Sequence, residues 1–405
     1  MASEQTYQTA FTAWQEQPGN EFSFRQPGST TQAVFLEGMG LQEEEPAVLE
    51  RRALQRISNQ LGILFLHQLL APYLVLIVCV VVFSLFGGSL SYSVHDNVLY
   101  GSNDLVLITM ILRKIVRFGV PIFMAKRLLK MPKAVTCCRQ KTVPSTWIRT
   151  LGITMCVFFA FGMILNFLPE SSIHYITLGA LSHTILCMDT QHQIFYFIFV
   201  LIFRPIFETM LYNGSIMHVL RQFGDDTAVL LTATFSALMA ENLVTGISTF
   251  AVSILAAREI LRDENIYVGL FSRSVYYTLM FVLFHTSIFR NNVPIPNRLL
   301  WILIIGIVGM LLGTLVIWKA PFQGSKRFYS IRSAGKCSLI FLIQANLMTV
   351  CVFVSLALSV FCNRNQEGID ARTLCAAGTL YAASVGVSRI CGFSGRSSRW
   401  GSGGS

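Results

Sequence analysis

Leu61-Gly-Ile-Leu-Phe-Leu-His-Gln-Leu-Leu-Ala-Pro-Tyr-Leu-Val-Leu-Ile-Val-Cys-Val-Val-Val-Phe-Ser-Leu-Phe86 contains no Asp, Glu, Lys or Arg. A bilayer's hydrocarbon core is crossed by about 20 residues of helix, so this stretch is long enough to span it. Similar apolar segments follow near 105–124, 147–168, 193–213, 227–244, 246–262, 266–288, 299–318 and 338–361. The expected fold is therefore all-α, a polytopic membrane bundle of eight or nine crossings. The 105–124 segment carries Arg113, Lys114 and Arg117, which must face protein, water or headgroups. Residues 173–188 are apolar but short, and read as interfacial or re-entrant.

Composition supports this class. Of 405 residues, 53% are hydrophobic and only 13% charged, and mean hydropathy is +0.57. A soluble domain carries about 25% charged residues, so this chain cannot cover a water-facing surface of its size. The net charge of +10 does not call for nucleic acid, because the basic residues cluster beside apolar segments. Lys126, Arg127, Lys130, Lys133, Arg139 and Lys141 share one loop, and Lys319 to Lys336 form another. Residues 87–104 and 169–191 contain no Lys or Arg. The positive-inside rule then places the basic loops and the amino terminus in the cytoplasm. Ten cysteines without CxxC spacing indicate neither a zinc module nor a disulfide scaffold.

Residues 1–56 read as a polar, acidic and mostly disordered tail, with eight glutamates but only Arg25 among its first fifty positions. No secretory leader is expected there. Pro46 to Gln60 reads as an amphipathic lead-in. The membrane bundle is expected over 57–361. Residues 362–405, ending in Gly and Ser, are expected to be a disordered tail.

Chemistry concentrates in Phe203-Arg-Pro-Ile-Phe-Glu-Thr-Met-Leu-Tyr-Asn-Gly-Ser-Ile-Met-His-Val-Leu-Arg221. A carboxylate at membrane depth needs a partner, water or a proton. Arg204, four residues before Glu208, is its natural ion-pair partner, and Pro205 frees a backbone carbonyl one turn earlier. Two readings stand side by side: a structural Arg204–Glu208 pair, or a glutamate serving as general base for a hydrolytic water. Arg258-Glu259 and Arg262-Asp263-Glu264 read as a solvated helix cap. The histidines show no metal-binding spacing, so no metal and no cofactor are expected.

Pro205-Ile-Phe-Glu208-Thr209-Met-Leu-Tyr212-Asn213-Gly214 resembles the first motif of the CPBP family of intramembrane proteases, which includes CAAX-prenyl endopeptidases and bacteriocin-processing proteins. That motif reads Pro-x-x-Glu-Glu-x-x-Phe-Arg-Gly. Here Thr209 replaces the second glutamate and Asn213 the arginine. The family's second motif falls on Ser236-Ala-Leu-Met-Ala240-Glu-Asn242, where Asn242 fits and the histidine position is taken by Ala240, or by Met239 when Phe235 is the anchor. The third follows a turn matched by Leu261-Arg-Asp-Glu-Asn-Ile-Tyr267. Its histidine position is Arg273 and its asparagine position Tyr277. The resemblance covers about 147–280.

It implies a bacterial plasma-membrane protein whose hydrolase is impaired, with Glu208 the residual catalytic candidate and Thr209, Asn213, Asn242 and Arg273 its possible helpers. Such a protein would act by binding a membrane protein or a hydrophobic or lipidated peptide within the bilayer. The alternative is a working membrane-embedded endopeptidase with Glu208 as the water-activating base. A small-molecule transporter is a third reading, carried by the multi-span composition alone.

Overall fold

The computed structural model describes residues 7–17, 20, 22–23, 33–36, 40–43, 46–93, 98–168, 182–240, 243–286 and 297–319. The apolar run quoted above lies within α2 (Pro46–Leu85), a helix of 40 residues. One face of it is buried through Ile57, Leu61, Leu64 and Phe65. Leu74, Ile77, Val78 and Val81 on the other side are each more than half exposed. An apolar band of that size is tolerated where it meets lipid rather than water.

Four helices among the described residues are long and apolar enough to cross a membrane: Arg52–Leu85, Pro144–Asn166, Thr190–Phe223 and Ile266–Phe284. The expectation of eight or nine crossings is thus met only at the coarser level of several apolar helices. Helix α3 (Asn103–Leu129) forms where a crossing was expected but carries Arg113, Lys114 and Arg117 at its centre. Arg113 Nε donates to Pro72 O at 3.1 Å, and Arg117 donates to Met239 O. Both bonds go to backbone carbonyls of the protein, which engage guanidinium groups set among apolar residues. The 338–361 segment and the carboxyl-terminal tail lie outside the described residues.

Among the described residues, two antiparallel hairpins, unforeseen in the all-α expectation, join the helices. The strands β1 (Ala33–Leu36) and β2 (Gly40–Glu43) pair Ala33 with Glu43. The strands β3 (Leu90–Ser93) and β4 (Val98–Gly101) pair Leu90 with Gly101 in the loop between α2 and α3.

The amino-terminal segment differs from its expectation too. Residues Tyr7–Gln15 form α1. Its buried side chains, Tyr7, Ala10, Phe11 and Trp14, recur at helical spacing and join the main core. Trp14 Nε1 donates to Leu129 O at 3.2 Å, and Tyr7 Oη lies 2.9 Å from His218 Nδ1. This acidic tail therefore contains a docked helix, because one stripe of it is apolar and aromatic.

Beyond α4 (Lys133–Thr136), α5 (Pro144–Asn166) and the short α6 (Ser182–Cys187), α7 (Thr190–Glu208) enters the centre of the molecule. It continues as a π-helix (Thr209–Ile216), α8 (Met217–Leu220) and a 3-10 turn (Arg221–Phe223). A Cβ at Gly214 would lie 2.8 Å from Thr136 O. Only glycine lets α4 approach the π-helix so closely.

The remaining helices are α9 (Asp225–Leu238), α10 (Leu243–Asp263), α11 (Ile266–Phe284) and α12 (Arg298–Lys319). Helix α12 lies against α5 at near-backbone distance, since a Cβ on Gly152 would meet Gly313 N at 2.8 Å and Gly309 O at 3.0 Å. Small residues permit such approaches between apolar helices.

Candidate functional site

Glu208 ends α7 and is 4% exposed. Arg204, one turn earlier, donates Nε–H to Glu208 Oε1 at 2.9 Å. The spacing of four residues places both side chains on one face. The second oxygen, Oε2, accepts from Arg273 Nη1 at 2.9 Å and from the Tyr277 hydroxyl at 2.5 Å. Arg273 and Tyr277 are themselves four residues apart on α11, so one face of that helix delivers both donors.

Arg273 is fully buried and acts as the hub. Its Nη2 donates to Asn213 Oδ1 at 3.0 Å and to Ser253 Oγ at 2.9 Å, which ties the π-helix and α10 to α11. The Arg204 guanidinium stacks over the Tyr277 ring at 4.4 Å. Two guanidinium cations thus face one carboxylate.

Four sequence-expected site residues can be placed. Glu208, Asn213 and Arg273 form one bonded network. Thr209 is adjacent, but its buried Oγ1 has no hydrogen-bond partner among the described residues. Asn242 lies outside the described residues. Tyr277 and Ser253 complete the site. Tyr277 was named in the sequence only through the resemblance and not as a donor, and Ser253 left no signal of its own.

Chemically, the arrangement holds an anion more readily than it performs a hydrolysis. A general base needs an acceptor position directed at water, whereas Glu208 already accepts three side-chain donors. Oxyanion stabilisation needs donors aimed at the reacting oxygen, whereas Arg273 Nη1 and Tyr277 are aimed at Glu208. No group of three His, Cys, Asp or Glu side chains suited to a metal occurs among the described residues.

A cavity of about 70 Å³ adjoins the cluster between α5, α7, α10 and α11. Phe197, Leu201, Arg204, Ser248, Tyr277 and Phe281 are among its lining residues.

Two further polar sites lie away from it. Arg149 pairs with Glu259, which also accepts from Thr150 Oγ1 at 3.1 Å, and with Asp263 at 3.4 Å. Glu259 is only 6% exposed, so the solvated-cap expectation is corrected: Arg149 of α5 draws this carboxylate inward. Burial raises the Asp263 carboxyl above its ordinary value, with Arg149 opposing.

Beneath α1, the Cys138 Sγ stands 3.9 Å from His218 Nε2. Burial pushes that thiol up to about 12. Burial also raises the Tyr7 phenol, opposed by Arg221, whose guanidinium sits 4.9 Å from the ring centre. No protein-family model, curated protein or solved structure matches the chain.

Proposed function

We propose that this chain is a degenerate CPBP-type membrane protein that has lost its hydrolase and acts by binding a membrane protein or a hydrophobic or lipidated peptide. The observation that carries this reading is the occupation of the Glu208 carboxylate by Arg204, Arg273 and Tyr277. Arg273 stands where the resemblance expects a histidine, and Tyr277 where it expects an asparagine. Both are turned to neutralising the one acid that remains. The site has become a lock between α7 and α11, and the adjoining cavity is what remains for a ligand. The distribution of basic loops supports a cytoplasmic amino terminus, the series of apolar segments supports eight or nine crossings, and the resemblance supports a bacterial plasma membrane.

The alternative is an active endopeptidase with Glu208 as base. It is favoured by the position of the cavity, whose wall includes Arg204 and Tyr277, two residues bonded to that carboxylate. Mapping of new protein termini in host membranes separates the two readings, comparing wild type with Glu208→Gln at matched amounts of folded protein. Identical termini are expected. Termini that vanish in the variant would establish a protease.

A further inference from the structure

The basic segment between α3 and α5 is pinned to the body of the protein. Leu129, Met131, Val135 and Cys138 are buried and join the main core. Ile266 donates its backbone N–H to Cys138 O at 3.0 Å, and Gln140 donates its own to Glu264 O at 3.2 Å. Asn265 Nδ2 donates to Gln140 O at 2.6 Å. These bonds fasten the segment to the turn between α10 and α11.

From this anchored backbone six cations face outward. Lys126, Arg127, Lys130, Lys133, Arg139 and Lys141 are all exposed. None of them joins an ion pair among the described residues. The sequence holds no Asp or Glu between Asp104 and Glu170, and Glu264, at the pinning turn, accepts from Gln140 Nε2. Like charges held on one ordered segment repel, so anions brought from outside stabilise this face.

Position and apolar surface decide which anion fits. Lys141 stands three residues before Pro144, where an apolar helix long enough to cross a membrane begins. Three residues reach at most about 11 Å, which puts the cation beside the membrane end of α5. Phe123 and Val143 are 58% and 64% exposed on either side of the cations. The Arg127 guanidinium lies 5.2 Å from the Phe123 ring centre, and that of Arg139 lies 5.5 Å from the exposed Tyr267 ring. Rings beside cations suit the headgroup level of a bilayer, and a guanidinium fork matches phosphate. A free anion or an acidic peptide would answer the charge and leave Phe123 and Val143 in water.

We propose that this face is a binding surface for anionic phospholipids, with headgroup phosphates at the six cations and the acyl boundary at Phe123 and Val143. The surface shares no residue with the Glu208 cluster, so it goes beyond the reading of that cluster and fails separately from it.

The test is native mass spectrometry of the full chain in a non-ionic detergent, offered equal amounts of phosphatidylglycerol and phosphatidylcholine with identical acyl chains. Retention of phosphatidylglycerol is expected to exceed that of phosphatidylcholine at least about tenfold. A variant combining Lys126→Gln, Arg127→Gln, Lys130→Gln and Arg139→Gln is expected to lose that preference, because each cation near the headgroups contributes to it.

Equal retention of the two lipids by wild type overturns the proposal. So does an undiminished preference in the four-site variant with wild-type thermal unfolding. If that variant fails to fold, Lys133→Gln combined with Lys141→Gln decides in its place, with a weakened preference expected and an unchanged one overturning the proposal. Displacement of phosphatidylglycerol by excess inorganic phosphate, or by polyglutamate, overturns the lipid assignment in favour of a soluble anion or an acidic peptide.

Discussion

Arg273 Nη1 and Glu208 Oε2 lie 2.9 Å apart, joining residues 65 positions distant in sequence at the centre of the helix packing. This contact distinguishes a local i,i+4 pair from a network. Arg204 alone would satisfy Glu208 within one helix. Arg273 makes the same carboxylate a joint between α7 and α11, and extends it to Asn213 and Ser253.

The two arginines are therefore unequal. Arg273 is fully buried, while the Arg204 side chain is a quarter exposed. Breaking a buried ion pair from one side costs about 3–5 kcal/mol, because the remaining charge is stranded. Arg273→Ala is expected to approach that loss, and Arg204→Ala to fall clearly short of it. Chemical unfolding of the purified variants in detergent reads the order. Equal losses would refute the network account.

Tyr277→Phe keeps the ring beneath Arg204 and removes only the hydroxyl that donates to Glu208. A hydrogen bond to a charged group contributes about 1.5–3 kcal/mol. A loss in that range is expected in the same unfolding assay, with no change in oligomeric state. An unchanged midpoint would mean that the hydroxyl is not needed to hold the carboxylate.

Gly214 and Gly119 make a matched pair. A Cβ at Gly214 would press on Thr136 O at 2.8 Å, whereas one at Gly119 would find only Ile115 Cγ2 at 3.9 Å. Gly214→Ala is expected to destabilise by about 1–3 kcal/mol through forced backbone movement. Gly119→Ala is expected to stabilise by up to about 1 kcal/mol, from helix propensity. Thermal melts that reverse this order would place the α4 contact in error.

Helix α1 seals Cys138. With its thiol pushed up to about 12 and the side chain 2% exposed, Cys138 is expected to resist N-ethylmaleimide at pH 8, while the exposed neighbour Cys137 reacts. Site-resolved mass spectrometry distinguishes the two. Removing residues 1–17 uncovers His218 and is expected to open Cys138 to the reagent. The sign of the pH effect follows. A thiol raised by folding supports the fold below its ordinary pKa near 9.0. That support is lost as pH climbs from there toward about 12. Equal labelling of both cysteines in the intact chain would contradict the seal.

The legible parts of this molecule were those encoded locally. The Arg204–Glu208 pair follows from spacing alone, and the apolar runs mark the long helices. Arg273 and Tyr277 entered the sequence reading only through the resemblance. Nothing in their types announced that both would turn to one carboxylate, because that depends on how α11 is rotated against α7. The burial of Glu259 was hidden for the same reason, since its partner Arg149 is 110 residues away. Docking of α1 did leave a trace, the apolar stripe of Tyr7, Ala10, Phe11 and Trp14, which an acidic average over fifty residues concealed. The hairpin of β3 and β4 left none, its strands being four residues each.

A double-mutant cycle between Glu208 and Arg273 tests the central claim most directly, using Glu208→Gln, Arg273→Met and their combination in equilibrium unfolding. If the pair is a structural joint, the double variant loses less stability than the two single losses combined, by about 0.5–3 kcal/mol. Additive losses within about 0.5 kcal/mol, or single variants as stable as wild type, would contradict the claim and return Glu208 to candidacy as a catalytic base.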